Sequence, residues 1–432
     1  MNSEPTRLSD NQRRFVCRIV FLQFCFLPTF GAIYTIFHQP SVVEWQQRIQ
    51  AQLPIKVEIE SVETPLPNQV VFRGLKVLPT DSGLYPELNG FTANEVDVRF
   101  GLLQNEVRLL DPVEIESREL VKVLHRLFAD LDESTLKKDS WKIDFRKIVL
   151  RDSRHGNDDF VLNPLSVTMS SGLSKVDQKP AFQARILAKS QSDQSNQLVS
   201  LDFEKVGGIK RINVATKSAT IPANLLQHLI FNAPQLGTNS LFSGVIKLRF
   251  DPANIMSGLV EGEILNVQLG GLSDRGQRIT GYCDVKDLKC EITDGRIQSA
   301  KMNVVSANPI SVDRKMFVEA AEFGILASNP KEYPRVSIAK LKMGLKLDGG
   351  NIEFFGAKDE VIMDGRVEPA ECIAFDTKNE PLVICNYSGK KTMPLVSLAR
   401  ILTGQNASNR SIQFLDNFNL PNRVAVRPDS IR

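Results

Sequence analysis

"IKVEIESV", residues 55–62, alternates apolar and polar side chains almost one for one. Successive side chains of an extended chain point to opposite faces, so this stretch builds a strand with one oily face and one wet face. The same period continues in "NQVVFRGLKVL" (68–78), "NEVDVRF" (94–100), "NEVRLL" (105–110) and "WKIDFRKIVLRD" (141–152), with Pro, Gly, Asn and Asp between the runs. These runs predict a meander. The pattern resumes in "AFQARILAKS" (181–190), "LVSLDFEKV" (198–206), "RINVATKSATI" (211–221), "SGVIKLRF" (243–250), "VEGEILNVQLG" (260–270), "RIQSAKMNVV" (296–305), "VSIAKLKMGLKLDG" (336–349) and "NIEFFG" (351–356). So many short strands with few helices between them predict a mainly β architecture, an elongated antiparallel sheet, and argue against the βαβ units of parallel α/β enzymes.

Helical spacing interrupts this pattern in a few places. "SVVEWQQRIQAQL" (41–53) sets Val42, Trp45, Ile49 and Leu53 on one face, and Pro54 ends it. Such a helix either lies on the outer membrane surface or caps the first sheet layer. "ESRELVKVLHRLFADL" (116–131) repeats the spacing at Leu120, Val123, Leu124, Leu127 and Leu131, and short helices are expected at 222–231, 313–321 and 394–402.

Upstream of the strands lies "RRFVCRIVFLQFCFLPTFGAIYTIF" (13–37), the least polar run of the chain. Residues 19–37 carry no charge and as a helix span roughly 28 Å, close to one hydrocarbon core. Arg18 stands one turn beyond Arg13 and Arg14, within snorkelling reach of the same headgroup layer, and Pro28 predicts a kink. The run ends bulky and aromatic, unlike the small-residue end of a cleaved signal. Three readings stand open: a permanent anchor, a cleaved export signal and a buried core helix. As an anchor, with Arg7 and the three later arginines on its amino-terminal flank, it keeps the tail inside and sends residues 38–432 across.

The 432 residues, 42% of them hydrophobic, suffice for two domains or one elongated one. Net charge is +3 with both signs interspersed, which gives no electrostatic footprint for nucleic acid. Of six cysteines, Cys17 and Cys25 fall in the apolar run. "CDVKDLKC" and "CIAFDTKNEPLVIC" place Cys283 with Cys290 and Cys372 with Cys385 on opposite arms of two plausible hairpins, as local disulfides or as free buried thiols. Their spacing is not that of a zinc site, and His38, His125, His155 and His228 are scattered. No metal or cofactor is expected.

Little else suggests chemistry. "RHGNDD" (154–159), with Asp152 beside it, reads as a hairpin loop before a metal or general-base site. "KVGGIK" (205–210) lacks phosphate-loop spacing, "GLSDRG" (271–276) is a loop, and no G-x-S-x-G occurs. Asn386, Asn406 and Asn409 begin glycosylation sequons that matter only in a eukaryotic secretory pathway.

A basic tail, one apolar span, an amphipathic helix and then "VVFRGLKV", a "DSG" turn, a Val-x-Val strand and "LLDPVEIES" resemble the membrane-proximal region of bacterial AsmA-like proteins. "FSGVIKLRF" and "GRIQSAKMNVVSANPISVDRKMFVEAA" are similar to the strand-turn-helix near the carboxy-terminal end of that group. The resemblance covers most of residues 13–325 as a hydrophobic pattern; residues 330–432 match nothing in it.

The resemblance implies a long sheet curled into an apolar groove, anchored in the inner membrane by a single pass, with its bulk in the periplasm and a role in phospholipid movement or envelope assembly. It implies membrane lipids, and other envelope proteins, as partners, with no catalytic residue. The chain then divides into a cytoplasmic tail (1–14), a span (15–37), a membrane-proximal β region (38–131), a central groove (132–325), a carboxy-terminal β region with the cysteine hairpins (326–402) and a polar tail (403–432). Candidate lining residues are Val57, Ile59, Val71, Phe72, Val96, Val98, Ile143, Phe145, Ile186, Val245, Ile264 and Val267. The alternatives are an ordinary sandwich core in a structural adaptor that recruits envelope proteins and, third, an enzyme acting on envelope polymers.

Overall fold

The computed structural model describes residues 10–29, 31, 41–52, 55–79, 91–116, 140–151, 160–174, 176–190, 198–217, 219–223, 225, 236–237, 239–272, 278–306, 308–327, 334–363 and 366–403. Helix α1 (Asp10–Phe21) passes into a wide turn, Leu22–Phe26, in which the Leu27 N–H reaches five residues back to the Leu22 carbonyl, and the helix continues to residue 29. Pro28 explains that turn: its ring crowds the carbonyl four residues back, and one wider turn relieves the clash. Among the described residues no helix is long and apolar enough to cross a membrane. The rest of the apolar run, residues 30 and 32–37, lies outside them, as do the expected helix from 117 onward, the 152–159 loop, most of the 222–231 helix and the tail after 403.

Helix α2 (Val42–Gln52) starts on a capping box: Ser41 N–H donates to Glu44 Oε2 at 2.8 Å, and Glu44 N–H to Ser41 Oγ at 3.3 Å. Its apolar face packs on the sheet through Val42, Trp45 and Ile49, so α2 covers the first sheet layer.

The protein is mainly β, with few helices. Strands β1 (Ile55–Glu58) and β2 (Ser61–Leu66) both lie antiparallel to β3 (Gln69–Pro79), which pairs with β4 (Phe91–Arg99) and through it with β5 (Gln104–Leu109). After β6 (Val113–Glu116) comes the first departure from the expected meander. Strands β7 (Ser140–Phe145) and β8 (Ile148–Arg151) run parallel to β5 and β6, so the sheet is mixed rather than wholly antiparallel. A parallel neighbour needs a long crossover, and residues 117–139 are long enough to supply one. "WKIDFRKIVLRD" is accordingly two strands, broken where Arg146 N–H bonds the Leu109 carbonyl and the Lys147 carbonyl accepts from Val113.

From there the strands pair antiparallel with earlier neighbours, except that β13 pairs with the β14 that follows it: β9 (Phe160–Leu173), β10 (Pro180–Ser190), β11 (Leu198–Val206), β12 (Ile209–Ala215), β13 (Ile221–Pro222), β14 (Leu241–Phe250) and β15 (Met256–Gln268). "KVGGIK" is the tight turn between β11 and β12. A three-stranded sheet stands apart, formed by β16 (Ile279–Thr280), β19 (Ile310–Asp313) and β21 (Arg335–Ile338). The main sheet continues through β17 (Tyr282–Thr293), β18 (Arg296–Val305), β22 (Lys340–Asp348) and β23 (Asn351–Phe355). Its first pairing partner in the other direction, at Lys340 and Leu341 of β22, is β25 (Arg366–Phe375), which also carries β24 (Ala357–Met363) and β26 (Pro381–Cys385), with β20 (Leu326–Ala327) on the far side of β26 and β27 (Thr392–Pro394) on β23. Helices α3 (Arg314–Ala320), capped by the Asp313 side chain, and α4 (Leu395–Thr403) stand where the 3.6-residue spacing placed them.

Two glycines face each other at a close crossing. Gly244 on β14 (φ +155°) is the register partner of Gly262 on β15 (φ +147°), and a Cβ on Gly244 would come within 2.1 Å of the Glu261 carbonyl oxygen. Gly244 N–H also donates to the buried Thr216 Oγ1 at 2.8 Å. No side chain fits there.

Candidate functional site

The strand registers assemble one unbroken line of apolar side chains across the sheet. Val70 lies opposite Val98, Val98 opposite Val107, Val107 opposite Ile143, Ile143 opposite Val167 and Val167 opposite Ile186. The line continues through Leu201, Val214, Ile246, Val260 and Cys290, then Ala300, Leu347, Ile352 and Met393. Paired residues share a face, so fifteen strands each contribute one apolar side chain to the same side, over roughly 67 Å at about 4.8 Å per strand.

A second row beside it, Phe72, Val96, Leu109, Phe145, Leu165 and Ala188, widens the stripe over the first strands. Three buried clusters lie along the stripe. Half-buried Leu201 and Ile212 touch both the first and the second, and half-buried Ile264, Cys290 and Ile297 touch both the second and the third. The apolar surface is therefore continuous from β1 to β27.

The opposite face is mostly polar. One register step away the cross-strand line reads Glu63, Val71, Asp97, Arg108, Asp144 and Ser166, passes Leu187, Ser200, Ala215 and Val245, and continues through Glu261, Lys289, Lys301, Lys346 and Glu353. Ion pairs decorate it: Arg99–Asp97 at 3.1 Å, Lys142–Asp144 at 2.7 Å and Lys289–Glu261 at 3.3 Å. At Asp144, burial raises the carboxyl pKa, but hydrogen bonds from Lys142 and Ser166 and the charges of Lys142 and Arg108 outweigh it and hold the group below its ordinary value.

The expected lining residues divide accordingly. Val98, Ile143 and Ile186 are in the long row, Phe72, Val96 and Phe145 in the second, and Val57, Ile59, Ile264 and Val267 belong to the clusters beneath the stripe. Val71 and Val245 stand on the opposite face instead, Val71 buried between Glu63 and Asp97 and Val245 half-buried between Ala215 and Glu261. Sequence reading missed Val70, Val107, Val167, Leu201, Val214, Ile246 and Val260. Their alternation was visible in the quoted runs; which of them stand opposite one another was not.

The cysteine hairpins are corrected. Cys283 and Cys290 both lie in β17, seven residues apart along one extended strand, roughly 23 Å, which no S–S bond spans. Cys372 and Cys385 do sit on paired strands, but Cys372 is opposite Ile384 and Cys385 opposite Glu371, one step out of register. None of the four is in a disulfide, and Cys372 Sγ donates to the Ala374 carbonyl at 3.3 Å. Burial, with Asp284 adding to it, pushes Cys283 up to about 12; burial and Glu291 push Cys290 up to about 11; burial, Glu371 and Cys372 push Cys385 up to about 12. Asp152, His155, Asp158 and Asp159 lie outside the described residues, and among those described no three His, Cys, Asp or Glu converge on a metal position.

Compared with known proteins, the chain matches no family profile, no curated protein and no solved structure.

Proposed function

We propose that this chain is a membrane-anchored lipid-binding protein of the AsmA-like kind, held in the inner membrane by its amino-terminal helix with the sheet in the periplasm, and that acyl chains lie along the apolar stripe. The observation that carries this reading is the fifteen-strand row, apolar at every position on one face and backed by a polar face. Removing a sixteen-carbon chain from water is worth on the order of 12 kcal/mol at about 0.8 kcal/mol per CH₂, so a continuous greasy path lowers the barrier to lipid movement without any reacting group. No catalytic residue is needed for such a role.

Two further observations support it. Bulges in the β15–β17 pairing and the facing Gly244 and Gly262 are devices that bend strands, which is what curling a sheet around an alkyl chain requires. The apolar side chains of α1 and its continuation, Phe15, Phe21, Phe24 and Leu27 among them, are more than half exposed, as in a helix whose partner is lipid.

The second reading is an anchored adaptor that recruits envelope proteins, and it is favoured by the deep burial of row members such as Val214 and Ile246. A photoreactive side chain at Leu201, compared in living cells with one at Val245 on the polar face, separates the two. Phospholipid adducts at Leu201 and none at Val245 are expected for a lipid path. Protein adducts at Val245 with no lipid at Leu201 would leave the adaptor.

A further inference from the structure

The registers also place the strand ends. The turns at 66–69, 100–103, 174–179 and 207–208 all fall on one edge of the sheet, because Gln69 pairs with Arg99, Gln104 with Ser140, Pro180 with Leu173 and Lys205 with Lys210. Three of these turns carry large, exposed apolar side chains at their tips or flanks. Leu102 and Leu103 are 106% and 91% exposed, Leu66 is 55%, Leu173 63% and Val176 70%. The turns farther along the same edge, 207–208, 294–295 and 349–350, are Gly-Gly, Asp-Gly and Gly-Gly, while the 251–255 turn carries one exposed apolar residue, Ile255, at 44%. Elsewhere on the sheet, exposed apolar residues such as Leu110 and Tyr282 stand singly.

This edge is where the amino-terminal segment arrives. Trp45, in the first turn of α2, stacks on Phe100 with ring centroids 6.2 Å apart, and Trp141 meets the other side of Phe100 edge-on at 6.4 Å. Phe100 N–H donates to the Asn68 carbonyl at 2.8 Å, tying the 66–69 and 100–103 turns together. The other end of α2 lies toward the opposite edge, where Gln50 Nε2 donates to the Val57 carbonyl. The apolar run ends at Phe37 and α2 begins at Val42, so five residue steps, at most about 17 Å of chain, separate the end of the run from Trp45's helix. A tether that short keeps the leucine tips against whatever holds residues 13–37.

We propose that the edge bearing Leu66, Leu102, Leu103, Leu173 and Val176 beds into the surface of the bilayer that holds the amino-terminal helix, so that the sheet stands on the membrane by its hairpin tips, with the apolar stripe running alongside the lipid surface. The inference rests on the anchored reading above. Apolar tips pay no desolvation penalty in the interface, and Trp45 and Trp141, amphipathic rings just behind them, occupy the depth that tryptophan prefers.

The chain has two tryptophans, both at this edge, so its own fluorescence reports the contact. Full-length protein is reconstituted into phosphatidylcholine–phosphatidylglycerol vesicles with or without bromine on the acyl chains, and flotation is scored beside tryptophan quenching. Wild type should float and be quenched by the brominated lipid. L102D/L103D, which alters two solvent-exposed positions and should leave the fold and its melting temperature unchanged, should float equally and lose most of the quenching. Val318→Asp, exposed on α3, should behave as wild type. Flotation without quenching, or quenching indifferent to L102D/L103D, overturns the edge contact alone; failure to float overturns the anchor and the edge with it.

Discussion

Val245 and Ile246 are neighbours in sequence and stand on opposite faces of the sheet. Val245 lies between Ala215 and Glu261, Ile246 between Val214 and Val260. An aspartate at Ile246 would be buried among apolar side chains with no partner, and the protein should lose about 3 kcal/mol or more of stability or fail to fold. The same substitution at Val245 meets solvent and the polar face, and should cost less than about 1 kcal/mol. Urea denaturation of I246D and V245D checks the assignment of faces; equal effects would mean that the faces are wrongly drawn.

Gly244 admits no side chain. Gly244→Ala forces a Cβ toward the Glu261 carbonyl at a backbone angle that L residues avoid, and should cost about 2–3 kcal/mol. Thr216→Val, which removes the acceptor of the Gly244 N–H, should cost about 1–3 kcal/mol. Because the two substitutions disturb one contact, the double variant should fall short of the sum of the single losses in denaturation midpoint.

The buried thiols should be inert. With Cys283 and Cys385 pushed up to about 12 and Cys290 up to about 11, almost none is thiolate at neutral pH. Iodoacetamide should label exposed Cys17 first in the native protein, half-buried Cys290 far more slowly, and Cys283, Cys372 and Cys385 only after denaturation. Peptide mapping without reductant should find no linked pair among those four, and a Cys372–Cys385 bridge would contradict the observed register.

Asp144 makes stability depend on acid. Its carboxyl is held below the ordinary 3.8 in the folded state, so its contribution is fully present above that value and is lost as pH falls through the folded-state pKa. Asp144→Asn should lower the melting temperature by a constant, small amount from neutral pH down to about pH 5, and the gap to wild type should close toward about pH 3. A gap that widens on acidification would show the carboxyl to be raised instead.

Much of this fold is legible in the chain because alternation is local. "IKVEIESV", "NQVVFRGLKVL" and "SGVIKLRF" each state that they are strands and which side chains share a face, and "DRKMFVEAA" and "PLVSLARIL" state that they are helices. Two local signals misled. Val71 and Val245 lie on the face opposite the long row, which residue type alone did not reveal. "CDVKDLKC" looked like a hairpin since Asp and Lys in its middle resemble a turn, whereas β17 runs straight through with Asp287 in a left-handed bulge.

By itself the sequence determined a one-sided β protein led by an apolar helix with a basic flank, since hydrophobic period, charge placement and capping residues act over a few neighbours. Only the tertiary structure decided the parallel β5–β7 step, the row from Val70 to Met393 and the gathering of Leu66, Leu102, Leu103, Leu173 and Val176 on one edge. Those depend on which strand lies beside which and in what register, a choice made by the summed burial of residues far apart in the chain, and no single stretch contains it.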